Sequence, residues 1–225
     1  MKFKKIKATN MQQVIYKELE VAIASGELKP GTRLTLEDIA SQFEVSIMPV
    51  REAFRALEAI NLVKKDKSRN ITVSELTIED VHEIIGIRLL LEPYAAIEAL
   101  RGDDGSLPVV LQEIHLQLQT AKTEEEYLKY NRNFHFALYR KSQQEILFRL
   151  IESLWARYNP YLYMFHKSEK HWPNQTVVDT HQDILDSVKN KDEENLKKCL
   201  RKDLEVSANS IIEMMKENAK CAQKF

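Results

Sequence analysis

The chain has 225 residues, of which 44% are hydrophobic, so it is long enough to form two domains that each have a core. Its apolar runs are too short to span a membrane, its N-terminus lacks the pattern of a secretory signal, and two cysteines make no disulfide framework, so we expect a cytoplasmic protein. A sequence pI near 6.6 argues against a nonspecific, strongly basic nucleic-acid binder.

Residues 1–75 are the more basic part of the chain, with 13 Lys and Arg against 10 Asp and Glu. The spacing of apolar residues predicts a first helix over about 10–25. Thr35 stands three residues before Asp38, an arrangement that caps a short second helix. After a third helix, the spacing of apolar residues over 62–73 changes and predicts two short strands joined by a basic loop. Three helices followed by a small hairpin are the pattern of a winged helix-turn-helix.

The third of these helices is a candidate for reading DNA. With Ser46 as its N-cap, Pro49 falls in the first turn, where the missing N–H group costs nothing. One face of the helix is apolar, and another carries charged residues that include Arg51. The second helix of a helix-turn-helix enters the major groove, where arginine can pair with guanine. The alternative is a surface helix whose arginines only meet water.

From Thr77 onward the apolar period is helical to the end of the chain. We therefore predict a mainly α protein, with a winged helix-turn-helix domain over 1–75 and an antiparallel bundle of six to seven helices over 76–225. Breaks in the pattern place six helices at 78–101, 107–121, 123–141, 143–166, 174–189 and 192–219.

Polar residues interrupt the apolar faces of three bundle helices. Asn131 and His135 are four residues apart on one face, and His181 and Asp203 lie on the apolar faces of two later helices. Such groups are costly to bury unless they are paired, solvated in a cavity or bound to a metal. Imidazole and carboxylate suit Zn, Ni, Mn or Fe, so these four residues are candidate ligands of a divalent metal of unknown identity. A hydrogen-bonded core histidine is the alternative for any one imidazole.

Arg88 lies on the apolar face of the first bundle helix, with Glu92 one turn further on. An inward guanidinium is a natural partner for the carboxylate of a small acidic metabolite, so Arg88 is the candidate effector-binding residue. The alternative is an ion pair with Glu92 or Asp203 that only braces the bundle. Three other histidines are expected to lie at the surface or to pack in the core, and these are His115, His166 and His171.

The segments SGELKPGTRL and LEDIASQFEVSIMPVREAFRALEAINLV resemble the DNA-binding domain of GntR-family bacterial transcriptional regulators. The helical remainder resembles the sensor domain of their FadR-type (FCD) branch. The resemblance implies DNA contacts by four residues, namely Arg33, Ser46, Arg51 and the wing residue Arg69. The family usually has an arginine directly after the serine, whereas this chain has Ile47, which can contact a thymine methyl group but cannot pair with guanine.

Many sensor domains of this branch carry an aspartate, a histidine four residues later, and two further histidines. His135 and His181 match this pattern, Asn131 replaces the aspartate, and Asp203 replaces the last histidine. The resemblance therefore implies a divalent metal at these four positions, although members of the branch without metal also exist.

These observations predict a homodimeric, sequence-specific transcriptional regulator that binds a pseudo-palindromic operator in double-stranded DNA. A small carboxylate metabolite bound in the bundle, directly or through a divalent metal, would change the affinity for DNA. Repression relieved by the ligand is the commoner arrangement in the family. The competing hypothesis is a metal-dependent helical-bundle enzyme with an accessory DNA-docking domain. The chain lacks a Gly-rich phosphate loop, a nucleophile elbow and an HExxH motif, so we predict that it is not an enzyme.

Overall fold

The computed structural model describes residues 11–65, 70–168 and 175–222. The chain divides into two compact units, Met1–Glu75 and Leu76–Phe225. The described residues are mainly helical and contain one small sheet, which confirms the predicted fold class. None of the helices in these ranges has the length and apolar composition that a membrane crossing requires.

The described residues of the first unit form three helices and a three-stranded sheet. Its elements are α1 (Met11–Ala24), β1 (Arg33–Leu34), α2 (Leu36–Gln42), α3 (Ile47–Ala59), β2 (Val63–Lys65) and β3 (Ile71–Val73). β3 is the central strand, and it pairs antiparallel with β1 on one side and with β2 on the other. The sequence predicted the β2–β3 hairpin but not β1, because a strand of two residues shows no period. The predicted wing residue Arg69 lies outside the described residues.

The helices of the first unit are positioned by one apolar core. Val50, Phe54 and Leu57 of α3 are buried, and α3 packs against the buried face of α1, which includes Ile15 and Leu19. Burial of three large side chains at about 1.5–3 kcal/mol each holds α3 firmly on this core. The opposite face of α3 therefore stays exposed.

The helix starts of the first unit follow local capping rules. The Thr35 hydroxyl accepts a hydrogen bond from the Asp38 amide at 3.1 Å, so the predicted cap of α2 is confirmed.

Gly31 lies in the turn between α1 and β1 with a φ of +82°, and a Cβ atom there would lie 2.7 Å from a Glu75 carboxylate oxygen. The positive φ is the reason that this turn favours glycine, since the end of the Glu75 side chain can move away from an added Cβ atom.

In the second unit, the part of the chain that the structure describes forms a bundle of six helices. They are α4 (Ile78–Arg101), α5 (Leu107–Gln119), α6 (Glu124–Arg140), α7 (Glu145–Ser168), α8 (Gln175–Lys189) and α9 (Glu193–Ala222). All six were predicted, with ends that differ by a few residues. Thr77 and Asp80 start α4 with a reciprocal capping box, and the Thr123 hydroxyl caps α6.

The core of the bundle consists of two apolar clusters separated along the helices by polar residues. In α4, the segment 81–85 belongs to one cluster and 95–100 to the other, with buried Arg88 and Glu92 between them. In α9, Asp203 likewise lies between Leu200 of one cluster and Ala208 of the other. We call this region the polar layer. It contains most of the site residues predicted for the second unit.

Candidate functional site

Three of the four predicted metal ligands meet in the polar layer. His135 of α6, His181 of α8 and Asp203 of α9 each offer one ligand atom, and these atoms lie within 4.8 Å of one another. His135 Nε2 is 3.2 Å from His181 Nε2 and 3.3 Å from Asp203 Oδ2. Both imidazoles are buried.

Two of the three separations between these atoms, both measured from His135 Nε2, fit a divalent metal. Ligand atoms bonded at about 2.1 Å to one ion, at octahedral or tetrahedral angles, lie about 3.0–3.4 Å apart. The distances of 3.2 and 3.3 Å around His135 Nε2 fall in this range. Two imidazole nitrogens and a carboxylate oxygen are also ligand types that transition metals prefer. The residues present therefore suit such an ion.

Asp203 supplies the negative charge of this cluster. Burial would raise its pKa, but the contacts with the imidazoles of His135 and His181 and the hydrogen bond from the Thr180 hydroxyl together lower the pKa below its ordinary value. The Thr180 hydroxyl donates to Asp203 Oδ1 at 2.8 Å, which leaves Oδ2 facing His135. The carboxylate is therefore ionised near neutral pH and can act as a ligand.

Asn131 is the fourth predicted ligand. It is buried one turn before His135 on α6, and it lines the same cavity as His135 and Asp203. Its amide oxygen is a neutral ligand and weaker than the carboxylate that it replaces in the family pattern. Its role as a ligand stays a prediction.

Arg88 and Glu92 form a buried ion pair across one turn of α4. Arg88 Nε donates to Glu92 Oε1 at 2.5 Å, and the guanidinium lies over the Trp155 ring at 4.4 Å and the Tyr158 ring at 4.9 Å. Burial would lower the pKa of Arg88, but the charge and hydrogen bond of Glu92 raise it above its ordinary value. The structure thus contains the bracing pair that the sequence offered as an alternative.

Glu92 also binds two residues that sequence analysis did not assign to the site. The Trp155 Nε1–H donates to Glu92 Oε1 at 2.8 Å, and the Tyr139 hydroxyl donates to Glu92 Oε2 at 2.7 Å. The Tyr139 oxygen lies 3.2 Å from His135 Nδ1. Arg88 and His135 are therefore connected through Glu92 and Tyr139. In the sequence Tyr139 looked like a core residue, because a hydroxyl gives no periodic signal, whereas the aromatic cluster 155–165 that contains Trp155 could equally line a pocket, pack in the core or form a dimer face.

A cavity opens beside this polar layer and brings the candidate effector residue together with the candidate ligands. Arg88, Asn131, His135 and Asp203 all line it, and Trp155 and Tyr158 form aromatic walls. A cavity with a guanidinium, imidazoles and aromatic walls suits a small anion that also has an apolar part. Arg88 can therefore face a ligand while it remains paired with Glu92.

Two further histidines are buried, and only one of them reaches this cavity. His166 lines the cavity, and burial lowers its pKa to about 4, so its imidazole is neutral at physiological pH. His115 is fully buried beside Phe134, in agreement with the expected packing role. His171 lies outside the described residues.

The predicted DNA-binding residues of α3 lie at its exposed start. Ser46 is the N-cap, and its side chain makes no capping hydrogen bond. Ile47 and Met48 follow with 37% and 58% of their surface exposed, and Arg51 is exposed one turn later. Arg33, the fourth predicted contact that the structure describes, is exposed in β1. Met48 was not among the residues predicted to contact DNA, because a methionine in a helix usually indicates core packing.

Comparison with known proteins gives matches over both units. Residues 11–73 match the family described as bacterial regulatory proteins, gntR family, and residues 83–206 match the FCD domain. The HTH-type transcriptional regulator McbR of Escherichia coli K12 is 31% identical over 199 residues, covering 87% of this chain and 90% of that protein. The gluconate operon transcriptional repressor of Bacillus subtilis is 27% identical over 198 residues, covering 83% and 78%.

A solved structure agrees with these sequence matches. That of E. coli McbR/YncC has a TM-score of 0.83 at 29% identity and covers 91% of this chain and 98% of its own. A regulator from Rhodococcus has a TM-score of 0.76 at 23% identity, which shows the same fold.

Proposed function

The chain belongs to the GntR family of bacterial transcriptional regulators, in the branch with an FCD domain, and from this premise we propose that it is a ligand-responsive repressor. It is a DNA-binding regulator and not an enzyme, since its relatives are named as transcriptional regulators or repressors. The alternative of a metal-dependent enzyme is therefore not favoured. Repression is proposed because the relatives include a repressor of the gluconate operon.

We assign operator binding to residues 1–75 and ligand sensing and dimerisation to residues 76–225. Arg51 carries the first assignment, because it is exposed near the start of α3 and has no hydrogen-bonded or ionic partner in the described part of the chain. Its neighbour Arg55 instead donates to Glu52 at 2.7 Å. A free guanidinium on a recognition helix can pair with guanine in the major groove. Arg33 and Ser46 would contact the DNA backbone.

A homodimer would bring two such helices to a pseudo-palindromic operator. An exposed apolar surface on α4 and α7 supports this proposal. The two helices are antiparallel, as their contacts Asp80–Arg157 and Glu98–Gln144 show. Exposed apolar side chains lie at the same levels of this helix pair, and these are Ile87, Leu90 and Tyr94 of α4 and Ile146 and Leu150 of α7. We call this set the α4/α7 apolar face, and we propose that a second copy of the chain covers it.

The effector that we propose is a small carboxylate bound in the cavity of the second unit. Arg88 supplies a buried positive charge that lines the cavity. A divalent metal of the Zn, Ni, Mn or Fe group would be held by His135, His181 and Asp203, with Asn131 as a weaker fourth ligand. When bound, that ion would supply a Lewis-acidic charge for a second oxygen of the effector.

The observation that carries this proposal is that Arg88, His135 and Asp203 line one cavity, with His181 Nε2 3.2 Å from His135 Nε2. Binding of an anion there would favour one state of the regulator, and operator affinity would change if the two states differ in affinity for DNA. We propose that the protein acts in the cytoplasm. The ligand there would be a metabolite, and the repressor would control the genes for the metabolism of that compound.

The test begins with selection of an operator from random duplexes by the full-length protein. A panel of small carboxylates, with and without Zn²⁺, Ni²⁺ or Mn²⁺, is then screened for compounds that raise the thermal unfolding temperature and change operator affinity.

Arg88→Met should remove the stabilisation by these compounds while operator binding persists. His135→Ala together with His181→Ala should lose bound metal in elemental analysis, whereas the exposed His82→Ala should keep it. Equal metal content in all variants, or a panel without effect on wild-type protein, contradicts the sensing proposal.

A further inference from the structure

We propose that Glu92 and Tyr139 form a hydrogen-bonded relay that fixes the tautomer of His135 and presents its Nε2 lone pair to a divalent ion. The relay runs from Arg88 through Glu92 and Tyr139 to His135, and every step is a buried contact between side chains. This inference rests on the metal site proposed above. It assigns positioning roles to two residues that do not themselves face the ion.

The position of the proton follows from the donors and acceptors along the relay. A carboxylate can only accept hydrogen bonds, so Glu92 takes the single hydroxyl proton of Tyr139 at 2.7 Å. The Tyr139 oxygen can then offer only a lone pair to His135 Nδ1, 3.2 Å away. His135 must therefore carry its proton on Nδ1 in order to complete this contact.

Glu92 is well held in its accepting role. Its other carboxylate oxygen accepts from Arg88 Nε at 2.5 Å and from Trp155 Nε1 at 2.8 Å. The carboxylate is fully buried, so water does not compete for these positions. Because three donors converge on Glu92, its orientation toward Tyr139 is fixed by the protein.

The relay opposes a preference at the other nitrogen of the same ring. His135 Nε2 faces Asp203 Oδ2 at 3.3 Å and His181 Nε2 at 3.2 Å, and in a metal-free protein the carboxylate favours a proton on His135 Nε2. A proton there would block coordination. Tyr139 favours the opposite tautomer, in which Nε2 is free to bind a cation that Asp203 then helps to neutralise. The relay thus prepares the imidazole as a ligand.

Tyr139→Phe in the full-length protein tests this inference. The affinity for Zn²⁺ or Ni²⁺ alone, measured by competition with a chelator, should fall roughly 10–100-fold, as expected when a partner of a ligating histidine is lost. The matched control is Tyr161→Phe, which removes another buried hydroxyl that accepts from the Leu76 amide and should leave metal affinity unchanged.

The tautomer itself can be observed by ¹⁵N NMR of metal-free protein with labelled histidine. Wild-type His135 should show a protonated Nδ1, and Tyr139→Phe should shift the population toward a protonated Nε2. A role in packing alone would leave this population unchanged. A second variant, Glu92→Gln, should reverse the relay: its amide oxygen would accept from Arg88 and Trp155, its NH₂ group would donate to Tyr139, and Tyr139 would donate to Nδ1.

The outcomes separate the relay from the metal site. A protonated Nε2 in the wild-type protein, or equal metal affinities in wild type and Tyr139→Phe, overturns the inference. Wild-type protein that binds neither ion contradicts the metal site of the proposed function, and the NMR measurement then decides alone whether the relay sets the tautomer.

Discussion

Arg88 and Glu92 are bonded across one turn of α4 in a place where both side chains are almost completely excluded from solvent, at 3% and 0% exposure. Removing one member of such a pair leaves an unpaired charge in the core. Glu92→Leu alone should therefore lower the free energy of unfolding by about 3–5 kcal/mol. The double variant Arg88→Met with Glu92→Leu should be less destabilised than the sum of the two single variants. Urea unfolding of wild type, the two single variants and the double variant measures this coupling free energy. Additive losses would show that the two side chains do not stabilise each other.

Arg51→Ala should weaken specific operator binding without unfolding the protein, because Arg51 is exposed and contributes little to packing. A lost bidentate contact to guanine costs about 1–3 kcal/mol, or roughly 5–150-fold in affinity. Arg55→Ala is the control on the same helix, since Arg55 is already paired with Glu52. Footprinting of both variants on the selected operator provides the measurement, and an unchanged footprint for Arg51→Ala would remove α3 from its assigned role.

Ile47 and Met48 place two exposed apolar side chains in the first turn of α3, where they suit the methyl groups of thymine. Replacing single thymines of the operator by deoxyuridine removes only that methyl group. Each contacted position should then lose about 0.8 kcal/mol, or roughly fourfold in affinity. The loss should vanish in Ile47→Ala or Met48→Ala, because these variants no longer contact the methyl group. Operators that bind equally well with uracil at every thymine would contradict this assignment.

His166 should make the protein sensitive to acid. Its pKa of about 4 in the folded protein lies below the ordinary value of 6.5, because burial disfavours the charged form. The unfolded chain therefore binds a proton first, and stability falls as the pH drops from about 6.5 to about 4, by roughly 3 kcal/mol in total. Above pH 6.5 this effect is absent. His166→Phe should reduce the difference between unfolding free energies measured at pH 7 and pH 4.5, and an unchanged difference would mean that His166 is not the responsible group.

Leu90→Asp should separate the proposed dimer, because Leu90 lies in the α4/α7 apolar face with 72% of its surface exposed in the single chain. A charge buried between two copies would be unpaired, whereas in a monomer it would only meet water. Light scattering after size exclusion should give the mass of one chain, 26.3 kDa, for this variant and twice that mass for wild type. The exposed Val109→Asp on α5, outside this face, should remain dimeric. A dimeric Leu90→Asp protein would place the interface elsewhere.

The periodicity of apolar residues predicted the helices of both units, because each helix buries one face. It also indicated Asn131, His135, His181 and Asp203, since polar residues on an apolar face need a partner. Tyr139 and His166 were not identified as site residues, and the pocket role of the aromatic cluster around Trp155 stayed one of several alternatives, because a buried aromatic residue has the same pattern whether it packs or donates a hydrogen bond. Their roles depend on contacts between α4, α6 and α7, which sequence spacing alone does not contain.

Ser46 leaves the start of α3 without a capping hydrogen bond from its own side chain. The amide groups of that turn, with the positive end of the helix dipole, are thus available to a phosphate group. Asp at this position would cap the helix and add about 1 kcal/mol to its stability, yet its charge would repel the DNA backbone. If α3 binds DNA as proposed, it gives up part of its own stability in the free protein and regains it on the operator. A substitution at position 46 that is selected only for heat resistance should therefore weaken repression while the fold stays intact.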